Sequence, residues 1–368
     1  MNAMTASISK VPIVLFPNRV WRFYTGGLMI DRFKGEPSAV DTHYPEEWVG
    51  SLVQAVNPEP QFKVGEGLQL VTMDHQTIQL KKVVEENPEG ILGKAHVKTY
   101  GSDAALLVKL LDASIRLVLH AHPTKAFAKQ HLNSCFGKTE AWFILETRPD
   151  VEEPCVYDSF KEEVSPRRWR EIIDKQDVNE MMRLVHKIPV KAGDVVYVKA
   201  GLPHAIGEGV FMVELQEPTD FAIIFERACA GFAFEPKDCF MGLNPDLTLS
   251  CTIHRVYSWE DVQRELLIKP EELRREGDST EVQLLGYDTT ECFAGHRLTV
   301  VDHLNDDTHD RFCILIVLYG SGTLVHENGE LRLRRGHEIF LPAGIGQHEF
   351  RSQPGKKMTI MKCLPAAL

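Results

Sequence analysis

Two series of short apolar runs, each bounded by Gly, Pro, Asn or Asp, constrain the fold of this chain more than any other feature of its sequence. Such runs are typical of strands, and many short strands separated by turns predict a sandwich or a barrel. The first series predicts strands at 106–111, 114–120, 141–145, 187–190, 194–198, 210–214 and 221–225. The second series predicts strands at 297–301, 312–319, 322–325, 330–333, 338–341 and 358–364.

Helical signals lie between and around these strands. Ser165 followed by Pro166 is an N-cap with proline at the first helical position, and it predicts a helix to residue 175. Ser258 opens a second helix through a capping arrangement. The length of 368 residues suits two or three domains. We therefore expect a mainly β chain with a first unit at 1–230, a partly helical connecting region at 231–290 and a second β unit at 291–368.

Composition narrows the class of partner. With 41 Lys and Arg against 52 Asp and Glu, the net charge of −11 argues against a dedicated nucleic-acid-binding protein, which needs a concentrated basic face. No apolar stretch approaches the ~20 residues of a membrane span, and the run at 11–16 is too short for a signal peptide. The eight cysteines form no CxxC pair, which favours buried, reduced thiols. We expect a cytoplasmic protein that binds a small molecule, with neither nucleic acid nor membrane as partner and an oligomeric state that the sequence leaves open.

Three histidines and a glutamate stand at the ends of predicted strands. Residues i and i+2 of a strand share a face, so the imidazoles of His120 and His122 look into one cavity. Glu140 opens the next strand, where a carboxylate is costly unless a cation meets it, and His204 follows a glycine-containing turn. Side chains of these types can bind one divalent metal ion, with zinc favoured and Mn, Fe or Ni as alternatives. Because 15 histidines also produce His-x-His pairs by chance, the spacing alone leaves metal binding open.

The order of these motifs closely resembles that of the type I phosphomannose isomerases, a family of the cupin superfamily. The segments that carry the resemblance are 106–113, 120–123, 137–140, 193–194, 200–207, 214–216, 219–220 and the Trp-containing segment 47–51. The resemblance covers residues 10–230, and the C-terminal unit is similar only as a second, degenerate cupin. It implies two cupin-type β-barrels with interspersed helical segments and a metal-dependent aldose–ketose isomerase acting on a sugar or sugar phosphate.

Carried over position by position, the resemblance implies the metal ligands. His122, Glu140 and His204 match three ligands of the family, and His120 stands where the family usually has Gln. This departure is chemically mild, since imidazole is at least as good a ligand for a borderline divalent metal. Three His and one Glu are also the set that many other cupins use. An iron-dependent dioxygenase and a sugar-binding cupin without catalysis are therefore alternative functions.

The resemblance also implies catalytic residues. Lys138, Glu214 and Asp220 match active-site positions of the family, where they would relay a proton between C1 and C2 of the sugar through a cis-enediol. A solvated loop lysine and buried acids held by backbone donors are the alternatives. The favoured reaction interconverts mannose 6-phosphate and fructose 6-phosphate. Ile224 stands where the family has an arginine, which puts the 6-phosphate in question unless Arg227, Lys138 or Lys199 replaces that charge.

The second β unit offers histidines without a metal-ligand pattern. The segment 336–344 has the residue pattern of a second cupin motif, but no His-x-His pair precedes it. His348 also falls one residue late for that motif. We therefore expect His326, His337 and His348 to be surface or packing residues rather than a second site.

Overall fold

The computed structural model describes residues 8–73 and 76–368. Its strands, numbered in chain order, are β1 Ile13–Val14, β2 Arg19–Val20, β3 Glu46–Val49, β4 Leu70–Met73, β5 Gln76–Gln79, β6 Leu107–Asp112, β7 His120–Ala121, β8 Glu140–Thr147, β9 Cys155–Phe160, β10 Val185–Pro189, β11 Val195–Val198, β12 His204–Ile206, β13 Val210–Gln216, β14 Ile223–Ile224, β15 Ala228–Cys229, β16 Phe232–Ala233, β17 Glu271–Glu276, β18 Ser279–Leu285, β19 Ala294–Val301, β20 His303–Asp307, β21 Cys313–Tyr319, β22 Ser321–His326, β23 Gly329–Arg334, β24 Glu338–Leu341, β25 Gln347–Ser352 and β26 Lys357–Leu364. Its α-helices are α1 Leu28–Lys34, α2 Leu80–Glu86, α3 Pro88–Leu92, α4 Lys94–Tyr100, α5 Lys125–His131, α6 Pro166–Lys175, α7 Val178–Leu184, α8 Pro236–Cys239, α9 Pro245–Leu249 and α10 Trp259–Glu265. A 3₁₀-helix spans Ala343–Ile345.

Two β units of similar design contain most of these strands. The first β unit has a six-stranded sheet in the order β11-β8-β13-β6-β3-β2 and a five-stranded sheet in the order β10-β9-β12-β7-β14. The second β unit has a seven-stranded sheet, β1-β24-β21-β26-β19-β18-β17, and a four-stranded sheet, β20-β25-β22-β23. Apart from β1 and β14, the second order repeats the first strand for strand. This architecture confirms the predicted mainly β fold of two units with helices between the strands.

The two units pack against each other through their larger sheets. In β6 and β13 every residue is buried, and Val108 and Val213 share one hydrophobic cluster with Ile314 and Met361 of the second unit. A sheet that is covered on both faces has continuous apolar strands, which explains why these runs are so clear in the sequence. The pairing of β1 with β24 also ties the N-terminal part of the chain to the second unit.

Local signals explain both predicted helices. The hydroxyl of Ser165 accepts a hydrogen bond from the backbone N–H of Arg168 at the start of α6. Ser258 and Asp261 form a reciprocal capping box at the start of α10. Among the described residues, no helix combines the length and apolarity needed to cross a membrane.

The strand prediction differs from the structure in several places: neither predicted series contains β3, β9, β20 or β25, for example. The predicted strand at 114–120 is reduced to β7, because the backbone N–H of Leu119 bonds the carboxylate of Glu226 instead of a neighbouring strand. Strands β17 and β18 lie in the region predicted to connect the units, yet β18 pairs with β19 of the second unit and β17 pairs with β18. β17 is a largely exposed edge strand, so it lacks an apolar pattern. The division at residues 230 and 290 stays a prediction.

Candidate metal centre

A cavity of about 510 Å³ opens between the two sheets of the first β unit. Its wall includes His120 and His122 from the five-stranded sheet side and Lys109 from the six-stranded sheet. Apolar side chains such as Phe23 and Phe234 also line it. A cavity that combines apolar walls with converging polar groups suits a small-molecule ligand.

Three imidazoles converge at the inner end of this cavity. His120 and His204 lie directly opposite each other in the antiparallel pair β7–β12, and their ring centroids are 4.3 Å apart. The ring of His122 lies 4.9 Å from that of His120 and 4.7 Å from that of His204. One nitrogen from each ring lies within 4.8 Å of the other two. The strand register, rather than the sequence spacing, brings His204 to the His-x-His pair.

Two of these rings are oriented by the backbone. Nδ1 of His120 lies 2.9 Å from the carbonyl oxygen of Val118, and Nδ1 of His204 lies 2.8 Å from that of Leu202. A carbonyl oxygen only accepts, so Nδ1 donates and Nε2 carries the free lone pair. Nε2 of His204 and both ring nitrogens of His122 are buried without a hydrogen-bond partner. Such buried nitrogen atoms are the donor set that a divalent metal ion requires.

Burial lowers the pKa of all three imidazoles, for His122 to about 3, and neighbouring positive groups add to the effect. Desolvation disfavours the charged ring, so the histidines stay neutral, which is the form that binds metals. These three side chains therefore form a site for one divalent metal ion.

Glu140 lies beside the imidazoles. Its Oε1 is 3.0 Å from Nε2 of His122, without hydrogen-bond geometry, and 3.2 Å from Nζ of Lys138. Its Oε2 is 3.9 Å from Nε2 of His204. Burial alone would raise the pKa of this carboxyl, but His122 and Lys138 hold the pKa well below its usual value. The carboxylate is therefore ionised and placed to complete a set of three His and one Glu.

Glu217 fixes the loop that carries Lys138. Its carboxylate accepts hydrogen bonds from the backbone N–H groups of Gly137, at 3.2 Å, and Thr139, at 2.9 Å. A Cβ atom at Gly137 would lie 2.6 Å from the carbonyl oxygen of Pro123, so only glycine allows this close approach. The loop therefore presents Lys138 to the cavity, where its side chain is buried beside the histidines.

Glu214 lies behind the cavity wall. Nε1 of Trp142 donates to Oε1 of Glu214 at 2.9 Å and to Oε2 of Glu140 at 3.2 Å, so one proton links the two carboxylates. Nζ of Lys109 lies 3.0 Å from Oε2 of Glu214. Burial, reinforced by the charge of Glu140, raises the pKa of Glu214 to about 7. The contact of Glu214 with the cavity runs through Lys109, which lines it.

Asp220 lines the cavity and holds a buried arginine. Nη2 of Arg22 lies 3.0 and 3.2 Å from the two carboxylate oxygens of Asp220, and the backbone N–H of Val56 donates to the same carboxylate at 2.7 Å. Arg22 also donates to Glu46, at 3.1 Å, and to Asn57, at 2.9 Å. Because its polar contacts are with Arg22 and a backbone N–H, this carboxylate suits a positioning role better than proton transfer.

Ile224 lies opposite His120 in the pair β14–β7 and faces the cavity. Arg227 and Lys199 form ion pairs with carboxylates outside the cavity, so neither replaces the expected arginine. The cations that line the cavity are Arg22, Lys109, Lys138 and Lys237. Lys237 is the exposed member of this set.

Sequence analysis missed several of these groups, and a signal existed for two of them. Glu46 precedes the Trp-containing segment, and strand alternation places it on the same face as Trp48, whose Nε1 donates to it at 2.7 Å. Lys109 lies within the segment 106–113 that carries the resemblance. Arg22 and Glu217 carry no motif of their own. Asp158 is a further case: it lies opposite His204 in β9, buried without a hydrogen-bond partner, and burial raises its pKa well above the usual value.

Comparisons with known proteins indicate one family. A family described as "Mannose-6-phosphate isomerase, cupin domain" matches residues 285–355. The mannose-6-phosphate isomerase of Streptococcus mutans is 37% identical over 245 residues, which cover 67% of this chain and 70% of that protein. The probable mannose-6-phosphate isomerase GmuF of Bacillus subtilis is 27% identical over 271 residues, covering 73% of this chain and 77% of that protein.

Solved structures show the same fold. The mannose 6-phosphate isomerase of Bacillus subtilis superposes with a TM-score of 0.71 at 21% identity, over 96% of this chain and 99% of that one. A zinc-bound mannose 6-phosphate isomerase superposes with a TM-score of 0.69 at 15% identity, over 97% and 100% of the two chains.

Fold and site together define a two-unit cupin metalloprotein with one metal centre in its first unit. The sequence identity of 37% with the mannose-6-phosphate isomerase of Streptococcus mutans shows which cupin family this is. The chain belongs to the mannose-6-phosphate isomerase family and is a metal-dependent aldose–ketose isomerase, as the resemblance in the sequence predicted.

Proposed function

We propose that this protein interconverts mannose 6-phosphate and fructose 6-phosphate through a cis-enediol, with one metal ion bound by His120, His122, Glu140 and His204. The observation that carries the proposal is the convergence of three neutral imidazoles, those of His122 and His204 buried and that of His120 partly buried, on a small-molecule cavity in a chain of this family. Zinc is the favoured ion, since a similar structure contains it, with Mn, Fe and Ni as alternatives.

A divalent metal at this site would supply the positive charge that polarises the carbonyl and hydroxyl oxygens of the sugar. Lys138 would contact the sugar at C1 and C2, because its ammonium group lines the cavity 3.2 Å from Glu140. Proton transfer also needs a group that loses and regains a proton near neutral pH. Glu214, with a pKa raised to about 7 by burial and by Glu140, is such a group, and Lys109 would keep it in contact with the cavity.

Asp220 would act in the same site by positioning Arg22. Both carboxylate oxygens of Asp220 contact Nη2 of Arg22 and hold the guanidinium group at the cavity wall. The charge of Arg22 would then face the sugar hydroxyls. An Asp220→Asn variant is expected to keep the metal and to bind the sugar more weakly.

The 6-phosphate would lie at the mouth of the cavity, remote from the imidazoles. Arg22 is already bonded to two carboxylates, whereas Lys237 lines the cavity, is exposed and forms no ion pair among the described residues. An ammonium group without a partner is free to meet a phosphate dianion. Lys237 would thus supply charge that Ile224 does not.

Turnover of metal-loaded protein tests the reaction. Purified protein stripped with a chelator and reloaded with Zn, Mn, Fe or Ni is assayed for ketose formation from mannose and from mannose 6-phosphate. We expect activity with at least one ion, a preference for the phosphorylated sugar, and loss of both metal and activity in His204→Ala. Absence of product with every ion and both sugars would contradict the isomerase proposal.

A pair of lysine variants tests phosphate recognition. Lys237→Ala is expected to raise KM for mannose 6-phosphate about tenfold, the effect of one lost bond between charged groups, and to leave turnover of mannose unchanged. The matched control is Lys129→Ala, an exposed lysine outside the cavity. Equal KM values for the two variants would remove Lys237 from the proposed phosphate site.

A further inference from the structure

The strand register gives the site of the first β unit a counterpart in the second. His204 lies opposite His120 in β12–β7, and His348 lies opposite Asp306 in the corresponding pair β25–β20. Glu214 lies opposite Lys109 in β13–β6, just as Lys362 lies opposite His296 in β26–β19. The corresponding positions are therefore polar in both units, although the residue types differ.

A cavity of about 920 Å³ opens at these positions of the second unit. Arg274, Glu281, His296, Asp306, His348 and Lys362 are among the residues that line it. Ligand pockets for small molecules span about 300–1,000 Å³, so its size suits a small molecule.

Ion pairs fix the polar wall of this cavity. Nζ of Lys362 lies 2.6 Å from Oδ2 of Asp306, and Nε of Arg274 lies 2.6 Å from Oε2 of Glu281. Nδ1 of His296 lies 2.7 Å from Oε1 of Glu281, and Nη2 of Arg274 lies 3.4 Å from Oδ1 of Asp306. Each carboxylate oxygen can accept a further hydrogen bond, so the wall offers fixed acceptors next to fixed donors.

His348 has an unused acceptor in this wall. The residue is 6% exposed, and its Nδ1 lies 2.9 Å from the carbonyl oxygen of Gly346. The carbonyl accepts, so Nδ1 donates, and in the tautomer that this bond selects Nε2 carries the lone pair. Nε2 is buried without a hydrogen-bond partner, and the nearest carboxylate oxygen, Oδ2 of Asp306, is itself an acceptor 3.5 Å away. A ligand that donates a hydrogen bond would satisfy this buried acceptor.

The charges around His348 select the class of ligand. A divalent cation would meet the ammonium group of Lys362, which is already paired with Asp306. A phosphomonoester dianion has no proton to donate to Nε2, and any phosphate anion would meet the negative carboxylates of Asp306 and Glu281. A sugar hydroxyl both donates and accepts, so it can satisfy Nε2 and also bond the paired carboxylates and cations.

We propose that the cavity of the second β unit binds an uncharged monosaccharide or polyol, with one hydroxyl donating to Nε2 of His348. This site is separate from the metal centre and does not depend on turnover there. It also revises the expectation that His348 is only a surface or packing residue.

Calorimetric titration of the full-length, zinc-loaded protein with mannose and with mannitol tests this site. We expect saturable binding that persists in His204→Ala, which disables the metal centre, and that weakens about tenfold in His348→Leu, the effect of one lost hydrogen bond. The matched control is His303→Gln, on the same strand as Asp306 but half-exposed and outside the cavity, which should bind as the wild type does.

A second variant guards against misfolding of His348→Leu. Glu281→Gln keeps the side-chain shape and removes an acceptor charge, and it should also weaken binding while its circular dichroism spectrum stays that of the wild type. Binding that is lost in His204→Ala but kept in His348→Leu would overturn the proposal, as would no saturable binding at all. Tighter binding of inorganic phosphate or of a second equivalent of zinc to this cavity would overturn the assignment of ligand class.

Discussion

Replacement of Trp142 by phenylalanine isolates the single proton that links the metal-site carboxylate to Glu214. Nε1 of Trp142 donates to Glu214 at 2.9 Å and to Glu140 at 3.2 Å, and all three side chains are buried. Hydrogen bonds to charged groups contribute about 1.5–3 kcal/mol, so the variant should lose about 2–3 kcal/mol beyond the cost of the smaller ring. Because Glu140 also loses a group that orients it, zinc affinity should fall about 10–100-fold.

Trp169→Phe is the matched control, since Trp169 is equally buried and its Nε1 has no hydrogen-bond partner among the described residues. Both variants lose the same atoms, but only Trp142→Phe loses a bond to a carboxylate. Urea denaturation of the chelator-treated proteins measures the difference in free energy of unfolding, and competition with a chelating dye measures zinc affinity. Equal losses of stability and of zinc affinity in the two variants would refute the role given to this N–H group.

Three further variants test other parts of the structure. Burial lowers the pKa of His96 below 6.5, so below that pH the unfolded chain binds a proton that the folded protein does not, and the protein becomes less stable. His96→Gln should therefore reduce the dependence of the melting temperature on pH. If that dependence is unchanged in the variant, His96 is not its source. Glu217→Ala should free the loop that carries Lys138 and lower kcat more than it raises KM, whereas Glu291→Ala, at an exposed carboxylate, should change neither. Glu226→Gln should lower the free energy of unfolding in urea by about 2–3 kcal/mol, because the buried carboxylate of Glu226 binds Arg116 and the backbone N–H of Leu119. Glu171→Gln, which breaks an exposed ion pair, should lower it by at most about 0.5 kcal/mol. Similar losses in the two variants would contradict this account.

Burial decided which strands the sequence could predict. β6, β8, β13 and β21 are covered on both faces for most of their length, so their sequences are nearly continuous apolar runs. β17 is charged at every position except Leu273 because it is an exposed edge strand, and no apolar pattern marks it. β12 is only three residues long and begins at His204, so hydrophobic pattern alone could not define it.

The candidate site was predictable where a motif marks it. Alternation along a strand predicted that His120 and His122 face one cavity, and the order of the motifs added Glu140 and His204; the structure brings all four side chains together, while their roles stay a prediction. Arg22 could not be found in this way, because it reaches Asp220 from a position 198 residues away.

The sequence by itself determined the mainly β class, the helix starts at Ser165 and Ser258, and the residue types able to bind a metal, because these depend on local periodicity, capping and ligand chemistry. Only the tertiary structure decided which side chains meet, because strand register is set by long-range pairing and packing. Register places His204 opposite His120, and by the same rule it places His348 opposite Asp306 in the second unit, a relation that no sequence spacing encodes.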